Sequence, residues 1–458
     1  MNYKWLENAA IEQPENIALK FQDESLNYRQ LYMKAHELAT HLQALKVKRV
    51  GLYIDNSLDA SILIHALMLS GTEMVMLNTR LTVHELKLQL EEVSVSTVLS
   101  TIHLDIPEFK VLSFEEIYDL PAETFMLNDP AANDILSIMF TSGTTGRAKA
   151  VGQTYSNHYA SHINCQKFLN YKEDSVWMMV NPIFHISGLS ILFRSVISMS
   201  TMVIMNKFKT DLAWQTLEHE KVTHTSMVPV MLNRLVKEEG THFLQALLMG
   251  GANTTPKLLQ KAKDKGLPVY NSFGMTETCS QIVQLSYDDP KIFSGAVGNI
   301  HDTMTEITID ETTDEMLLSG DSVVQSYLNA DIELKGGFFN TGDIIQIDED
   351  GYIYVLDRRN DLIISGGENI YPKEIEDVVY QLDGVNRCVV IKKEDDEWGY
   401  VPILLLEDDI DQTTLLNHLY KHLAKYKIPR EIYVIDEIKT TSTGKISRTI
   451  NRNMFLNL

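Results

Sequence analysis

The stretch Thr141-Ser-Gly-Thr-Thr-Gly-Arg-Ala-Lys149 concentrates groups suited to holding an anion. Gly143 and Gly146 let the backbone turn so that successive N–H groups point at one phosphate. The hydroxyls of Thr141, Ser142, Thr144 and Thr145 add donors, and Lys149 adds a positive charge nearby. An apolar run, Ile135 to Phe140, delivers the chain into this segment as a strand. On composition alone the segment also reads as a Ser/Thr/Gly-rich turn between strand and helix. A P-loop of the form G-x-x-x-x-G-K-[ST] is absent here, and Gly444-Lys445 is followed by Ile446.

The elements that position this loop follow from hydrophobic spacing. From about residue 48 to 285, short apolar runs alternate with segments of helical period. Val50 to Ile54, Thr97 to Ser100, Val176 to Val180, Thr201 to Met205, Thr223 to Met227 and Leu244 to Met249 read as strands. Leu58 to Ser70, Leu212 to Glu220, Val230 to Glu238 and Pro256 to Lys265 read as helices. The spacing predicts doubly wound, mostly parallel α/β sheets, whose ligands sit beyond the strands' carboxyl ends. After Ser286 the texture changes to alternating runs, Glu306 to Asp310, Glu315 to Ser319 and Tyr352 to Leu356, which predict a small antiparallel element. A charged stretch, Asp357 to Asp361, then marks a boundary. Beyond it, helices at Pro372 to Leu382 and Gln412 to Ala424, with strands at Val385 to Lys392, Val401 to Leu406 and Ile432 to Ile435, make a small α+β domain. The division expected is 1–357, a hinge at 358–361, and 362–458.

Composition narrows the function. With 44% hydrophobic and 22% charged residues, the 458-residue chain is globular rather than disordered. A net charge of −22 argues against nucleic acid and against an anionic membrane surface. Three cysteines, Cys165, Cys279 and Cys388, are far apart and lack metal-ligand spacing, and the start at Met1-Asn-Tyr-Lys-Trp is no secretory signal. The apolar region from Val176 to Met205 is too interrupted to span a bilayer. A reducing, cytosolic location is expected; oligomeric state is not legible.

Thr141 to Val151 resembles the phosphate-binding signature of the adenylate-forming superfamily of acyl-CoA synthetases, luciferases and adenylation domains. Ala148 stands where that family usually has Pro, and Ala150 where it usually has Gly. Further segments resemble the same family in the same order along nearly the whole chain. In Asn271-Ser-Phe-Gly-Met-Thr-Glu-Thr278 the resemblance puts Phe273 against adenine, Thr276 at the α-phosphate and Glu277 on Mg²⁺. That agrees with the need of ATP-bound Mg²⁺ for one or two carboxylates. Gly250, Gly251 and Ala252 resemble the adenine-flanking loop. Asp343, in Phe339-Asn-Thr-Gly-Asp343, corresponds to the ribose acceptor, with Arg358 approaching from the other side.

The resemblance extends to the remaining candidates. His185, in Pro182-Ile-Phe-His-Ile-Ser-Gly188, matches a residue that gates or lines the acyl pocket; by spacing alone it reads as a core histidine. Lys445, in Thr441-Ser-Thr-Gly-Lys-Ile446, matches the lysine that reaches the substrate carboxylate and α-phosphate, although alone it reads as a solvated charge. Gly366 and Gly367 match the glycines that leave room for the pantetheine arm of CoA. Asn360 stands at the hinge position, usually Asp or Lys, and Asp357 where Gly is usual.

Within the superfamily, Gln153 to His158, Pro182 to Leu189 and Phe273 to Gln281 look most like the 2-succinylbenzoate–CoA ligases of menaquinone synthesis. The implied substrates are ATP, CoA and an acid with a second carboxylate and a ketone, for which Arg194, Thr278 and Ser280 are candidate donors. Arg194 reads equally as a helix-capping or ion-pairing residue. The alternatives are a ligase for another aryl or fatty acid, an adenylation domain serving a carrier protein, and an inert nucleotide-binding protein on the same fold.

Overall fold

The computed structural model describes residues 2–141, 148–251, 254, 256–358, 362–439, 446 and 448–456. Two large sheets carry the bulk of the chain. In the first the strand order is Lys110–Ser113, Thr97–Ser100, Arg49–Tyr53, Glu73–Met76, Ile135–Thr141, Lys149–Thr154. Every neighbouring pair is parallel except the last. In the second the order is Ser280–Ser286, Val269–Met275, Ala246–Met249, His224–Met227, Val176–Met179, Thr201–Ile204, Ile17–Phe21, Glu24–Asn27. Its interior is parallel and both edge pairs are antiparallel.

Side-chain alternation explains why both sheets are covered on two faces. Trp177 and Met179 pack into one core while Met178 and Val180 pack into another. In the other sheet Leu52, Met76 and Met139 join the first of those cores, and Val75, Val98 and Ile138 face a third. The helix Leu58–Ser70, capped by the Ser57 hydroxyl, is buried along almost its whole length because it lies in the shared core.

The expected antiparallel element is a third sheet, ordered Ala296–Asn299, Tyr352–Arg358, Phe338–Ile347, Glu315–Ser319, Glu306–Ile309, with the short strand Leu334–Lys335 added. A fourth sheet of Glu368–Ile370, Ile363–Ser365, Gly399–Leu406 and Cys388–Asp395, with Glu431–Val434 parallel beside Gly399–Leu406, has its own core around Ile375, Val390 and Leu404. The fold is therefore a large α/β part of parallel-rich sheets followed by a smaller C-terminal part.

Several details depart from the sequence pattern. Residues before 48, which gave no element by periodicity, form helices Trp5–Glu12 and Tyr28–Leu42 and the strands Ile17–Phe21 and Glu24–Asn27. The Asn27/Gln30 capping box was the local signal for the longer helix. In the C-terminal part the helix expected to reach Leu382 stops at Val379, and the strand expected from Val385 starts at Cys388. A terminal helix, Arg448–Leu456, was not anticipated. Among the described residues no helix is long and apolar enough to cross a membrane.

Gly274 shows why one sequence choice is forced. The strands Val269–Met275 and Ser280–Ser286 shift register at Phe273/Gly274, and a Cβ on Gly274 would lie 2.2 Å from the carbonyl oxygen of Ser280. The obstruction is backbone, which cannot rotate aside. Gly274→Ala is expected to cost about 1–3 kcal/mol by forcing the hairpin apart. Denaturant unfolding checks this; wild-type stability would contradict the close approach.

Candidate active site

The end of the strand Ile135–Thr141 and the turn leaving Val269–Met275 meet where the two large sheets adjoin. Gln153, fully buried, donates from Nε2 to the carbonyl of Thr276 (2.7 Å), and its Oε1 accepts from the Ser137 hydroxyl (2.7 Å). Thr276–Thr278 form a single 3₁₀ turn. In that turn Glu277 is buried, and its Oε1 accepts from the hydroxyls of Tyr327 (3.0 Å) and Thr141 (3.3 Å). Its carbonyl accepts from the N–H of Val324 (2.9 Å). The Glu277 carboxylate is thus fixed beside Thr141 by two separate segments, and the one carrying Tyr327 also holds its backbone. Lys149, paired with Thr141 across the hairpin, holds its ammonium 4.8 Å from the centroid of the Tyr327 ring.

These groups open onto one cleft of about 2470 Å³. Thr141, Lys149, Gly250, Gly251, Phe273, Thr276, Glu277 and Asp343 all line it. Asp343 is buried on the strand Phe338–Ile347, directly opposite Arg358 on Tyr352–Arg358, and its N–H bonds the Thr341 hydroxyl (3.0 Å). The side chain of Arg358, and Ser142, Gly143, Thr144, Thr145, Gly146, Ala252, Asn360 and Lys445 as whole residues, lie outside the described residues.

The C-terminal part closes the other side of the cleft. Gly366 and Gly367 take φ of +57° and +86°, a backbone region where a Cβ is strained. A Cβ on Gly366 would strike the Trp398 ring at 2.6 Å, and one on Gly367 would press Val228 at 3.1 Å. The turn can therefore pass between the two parts only without side chains. The next residue, Glu368, is buried and bonds His185 Nε2 through Oε1 (3.3 Å) and Arg80 through the same oxygen. Burial acts to raise the Glu368 carboxyl, yet His185 and Arg80 hold it down at about 2. His185 is not a core residue: it is the N-cap position of helix Ile186–Ser198, with its side chain 37% exposed at the cleft.

Three expected acid-binding donors fall differently. Ser280 lines the cleft and donates to Gln281 Oε1 (2.8 Å). Thr278 does not reach the cleft; its hydroxyl is consumed by its own turn, donating to the Ser280 carbonyl (2.7 Å) and accepting from Met275 N–H (3.0 Å). Arg194 also stays behind the wall. It is 2% exposed and donates to Gln281 Oε1 (2.9 Å) and Ser161 Oγ (3.2 Å). Among the described residues no carboxylate pairs with it. Burial, aided by the Arg194 charge, pushes His158 and His162 down to about 3, so the cation sits among neutral groups.

With this geometry in place, the chain can be compared with known proteins. A profile of the AMP-binding enzyme family matches residues 6–328, and one of the AMP-binding enzyme C-terminal domain matches residues 374–445. The chain belongs to the AMP-binding enzyme family. Within that family it is 40% identical to a 2-succinylbenzoate–CoA ligase of Staphylococcus aureus, over 97% of this chain and 98% of that one. Among solved structures it resembles an o-succinylbenzoate CoA synthetase double mutant of Bacillus subtilis bound to its product analogue OSB-NCoA. The TM-score is 0.92 at 33% identity, covering 98% of both chains. The same synthetase in complex with the acyl-adenylate intermediate OSB-AMP gives 0.76 at the same 33% identity, covering 97% of both.

Sequence spacing missed Arg80, Gln153's bridging role, Tyr327 and Glu368. Glu368 follows the two glycines directly, which was a usable signal; the others become visible only when distant segments meet. The wall behind the cleft yields a stability test. A buried cation with no acid partner contributes little to folding, so Arg194→Met should leave stability within about 1 kcal/mol of wild type, or raise it. Gln281→Leu, which strips that cation of a partner, should cost about 1–3 kcal/mol. Chemical denaturation distinguishes them, and a larger loss for Arg194→Met would mean that the arginine is there for the fold.

Proposed function

We propose that this AMP-binding enzyme is an acid–CoA ligase that activates 2-succinylbenzoate with ATP and transfers the acyl group to CoA, a step of menaquinone biosynthesis. The observation that carries the reading is the resemblance, over nearly its full length, to 2-succinylbenzoate–CoA ligases, together with a cleft lined by Thr141 and Lys149 on one side and by the Gly366-Gly367 turn on the other. The reading carries a cytoplasmic location with it, in keeping with three buried, unpaired cysteines.

In the first step a carboxylate oxygen of the acid attacks the α-phosphorus of ATP, the bond to the β-phosphate breaks, and pyrophosphate leaves. Phe273 and the loop Gly250, Gly251 and Ala252 flank adenine; Asp343 and Arg358 hold the ribose. Lys149 and the loop Thr141, Ser142, Gly143, Thr144, Thr145, Gly146 hold the phosphates, and Thr276 meets the α-phosphate. Glu277 is the carboxylate that fits Mg²⁺ arriving with ATP, since it lies at the cleft beside Thr141. Bound there, the ion neutralises phosphate charge. A B. subtilis relative, 32% identical, has been solved in complex with ATP and a magnesium ion.

In the second step the CoA sulfur attacks the acyl carbonyl, AMP departs with the electron pair of the broken C–O bond, and the thiol proton is lost. The Gly366-Gly367 turn gives the pantetheine arm its passage. The division at 358–361, with Asn360 as pivot, lets the smaller domain of 362–458 bring Lys445 to the cleft for the first step and those glycines for the second. The two TM-scores against one relative support two arrangements of the same parts, and the present one resembles the thioester-product complex. His185 lies where the acyl group would pass. Ser280 and the Gln281–Arg194 pair, rather than Thr278, suit the second carboxylate of the acid: the buried guanidinium supplies positive potential through Gln281.

Incubation with ATP, CoA and a panel of aryl and fatty acids tests the assignment. 2-Succinylbenzoate is expected to give the most thioester, and preference for another acid would overturn the substrate while keeping the chemistry. Lys445→Ala is expected to slow acid-dependent pyrophosphate release about 10²–10³-fold, as loss of one transition-state donor does, while sparing thioester formation from preformed acyl-AMP. Equal losses in both half-reactions would remove Lys445 from that role.

A further inference from the structure

Among the described residues, ionic contacts join the C-terminal part to the large part at three places. Arg234–Glu397 is exposed on both sides and contributes little. Arg80 and His185 meet Glu368 at the cleft itself. The third is different: Lys427 Nζ lies 2.8 Å from Glu85 Oε1 and 2.7 Å from Glu374 Oε1, with the Lys427 and Glu85 side chains only 7% and 10% exposed.

We infer that Glu85 and Lys427 form a reversible latch that positions the C-terminal part for thioester formation. Each partner is arranged so that it can be parted without stranding a charge. Glu85 is the N3 residue of the capping box on helix Val83–Glu92, and its Oε2 accepts from the N–H and hydroxyl of Thr82 (2.9 Å each). The carboxylate is therefore fixed in place by its own helix, with Oε1 presented outward to the lysine. Lys427 has a second acid, Glu374, on the helix Pro372–Val379 of its own part, so that pair travels together. Breaking a buried pair is costly chiefly when a partner is left unpaired and dry. Here withdrawal leaves Lys427 with Glu374 and returns Glu85 to its cap and to water. Edge-on packing of the His84 and His422 rings (5.6 Å) beside the pair fixes the same approach of helix Val83–Glu92 to helix Gln412–His422. Such a contact adds little net affinity but strong geometric selectivity, because a buried charge tolerates no other register.

The inference rests on the two-step reading above, though not on which acid is used. The test measures the two half-reactions separately, with any acid that the wild type activates: pyrophosphate release without CoA, and thioester formation from preformed acyl-AMP and CoA. The variants are Glu85→Gln, Lys427→Met and the double. Gln keeps the capping box while removing the charge. Each single change is expected to slow thioester formation about 5- to 20-fold, in the range of a modest coupling between sites, and to change pyrophosphate release less than about twofold. The double variant should be no worse than the poorer single one. Equal losses in both half-reactions, additive losses, or an unchanged thioester rate would each overturn the latch. If Lys427→Met fails to fold, Glu85→Gln alone, carrying its change on the large part, decides the matter by the same ratio. Absence of acyl-AMP formation in the wild type with every acid would instead overturn the two-step reading itself.

Discussion

The 2.7 Å bond from Gln153 to the carbonyl of Thr276 fixes the relation on which the site depends. Each large sheet is parallel through most of its width and ends in an antiparallel strand, Lys149–Thr154 in one and Ser280–Ser286 in the other. In each, the antiparallel strand returns the chain from the sheet's carboxyl edge, where a parallel sheet presents its ligand loops. Gln153 ties the strand Lys149–Thr154 to the turn Thr276–Thr278 from within the buried wall. The Glu277 carboxylate then reaches Thr141, and Tyr327 ties both Glu277 and Lys149 to the third sheet's approach. Without that join, Thr141 and Glu277 are polar residues on separate sheets.

Closing the cleft is a separate problem with opposite demands. A cavity that admits ATP and an acid, and later a thiol, must be covered by something that leaves. The Gly366-Gly367 turn meets the space requirement: both residues have positive φ, and a side chain there would strike Trp398 or press Val228. The charges meet the affinity requirement. Buried ion pairs roughly break even against desolvation, so they specify a pose without trapping it. A hydrophobic seal of the same area would hold too tightly to release.

Much of the fold was legible because buried strands read as short apolar runs and helices by their period; Leu58–Ser70, Thr97–Ser100 and Glu315–Ser319 fall where the pattern predicts them. What was illegible has physical causes. The strand Ile17–Phe21 has little meaning until it pairs with Thr201–Ile204, far along the chain. Loop motifs marked the positions of Thr141, Phe273 and Glu277 because an anion site needs particular residues at short spacing. Spacing places Arg194 and Thr278 near the right segment as polar groups, but direction matters: one points behind the wall and the other back into its own turn. Arg80, Tyr327 and Lys427 act across distant segments, and no local spacing announces that.

The central claim is that chemistry proceeds through an acyl-adenylate held in this cleft before any thiol arrives. Exchange of labelled pyrophosphate into ATP tests it most directly, in the presence of 2-succinylbenzoate and the complete absence of CoA. The account expects rapid exchange that requires the acid. No exchange without CoA, with thioester still formed when CoA is added, would contradict it.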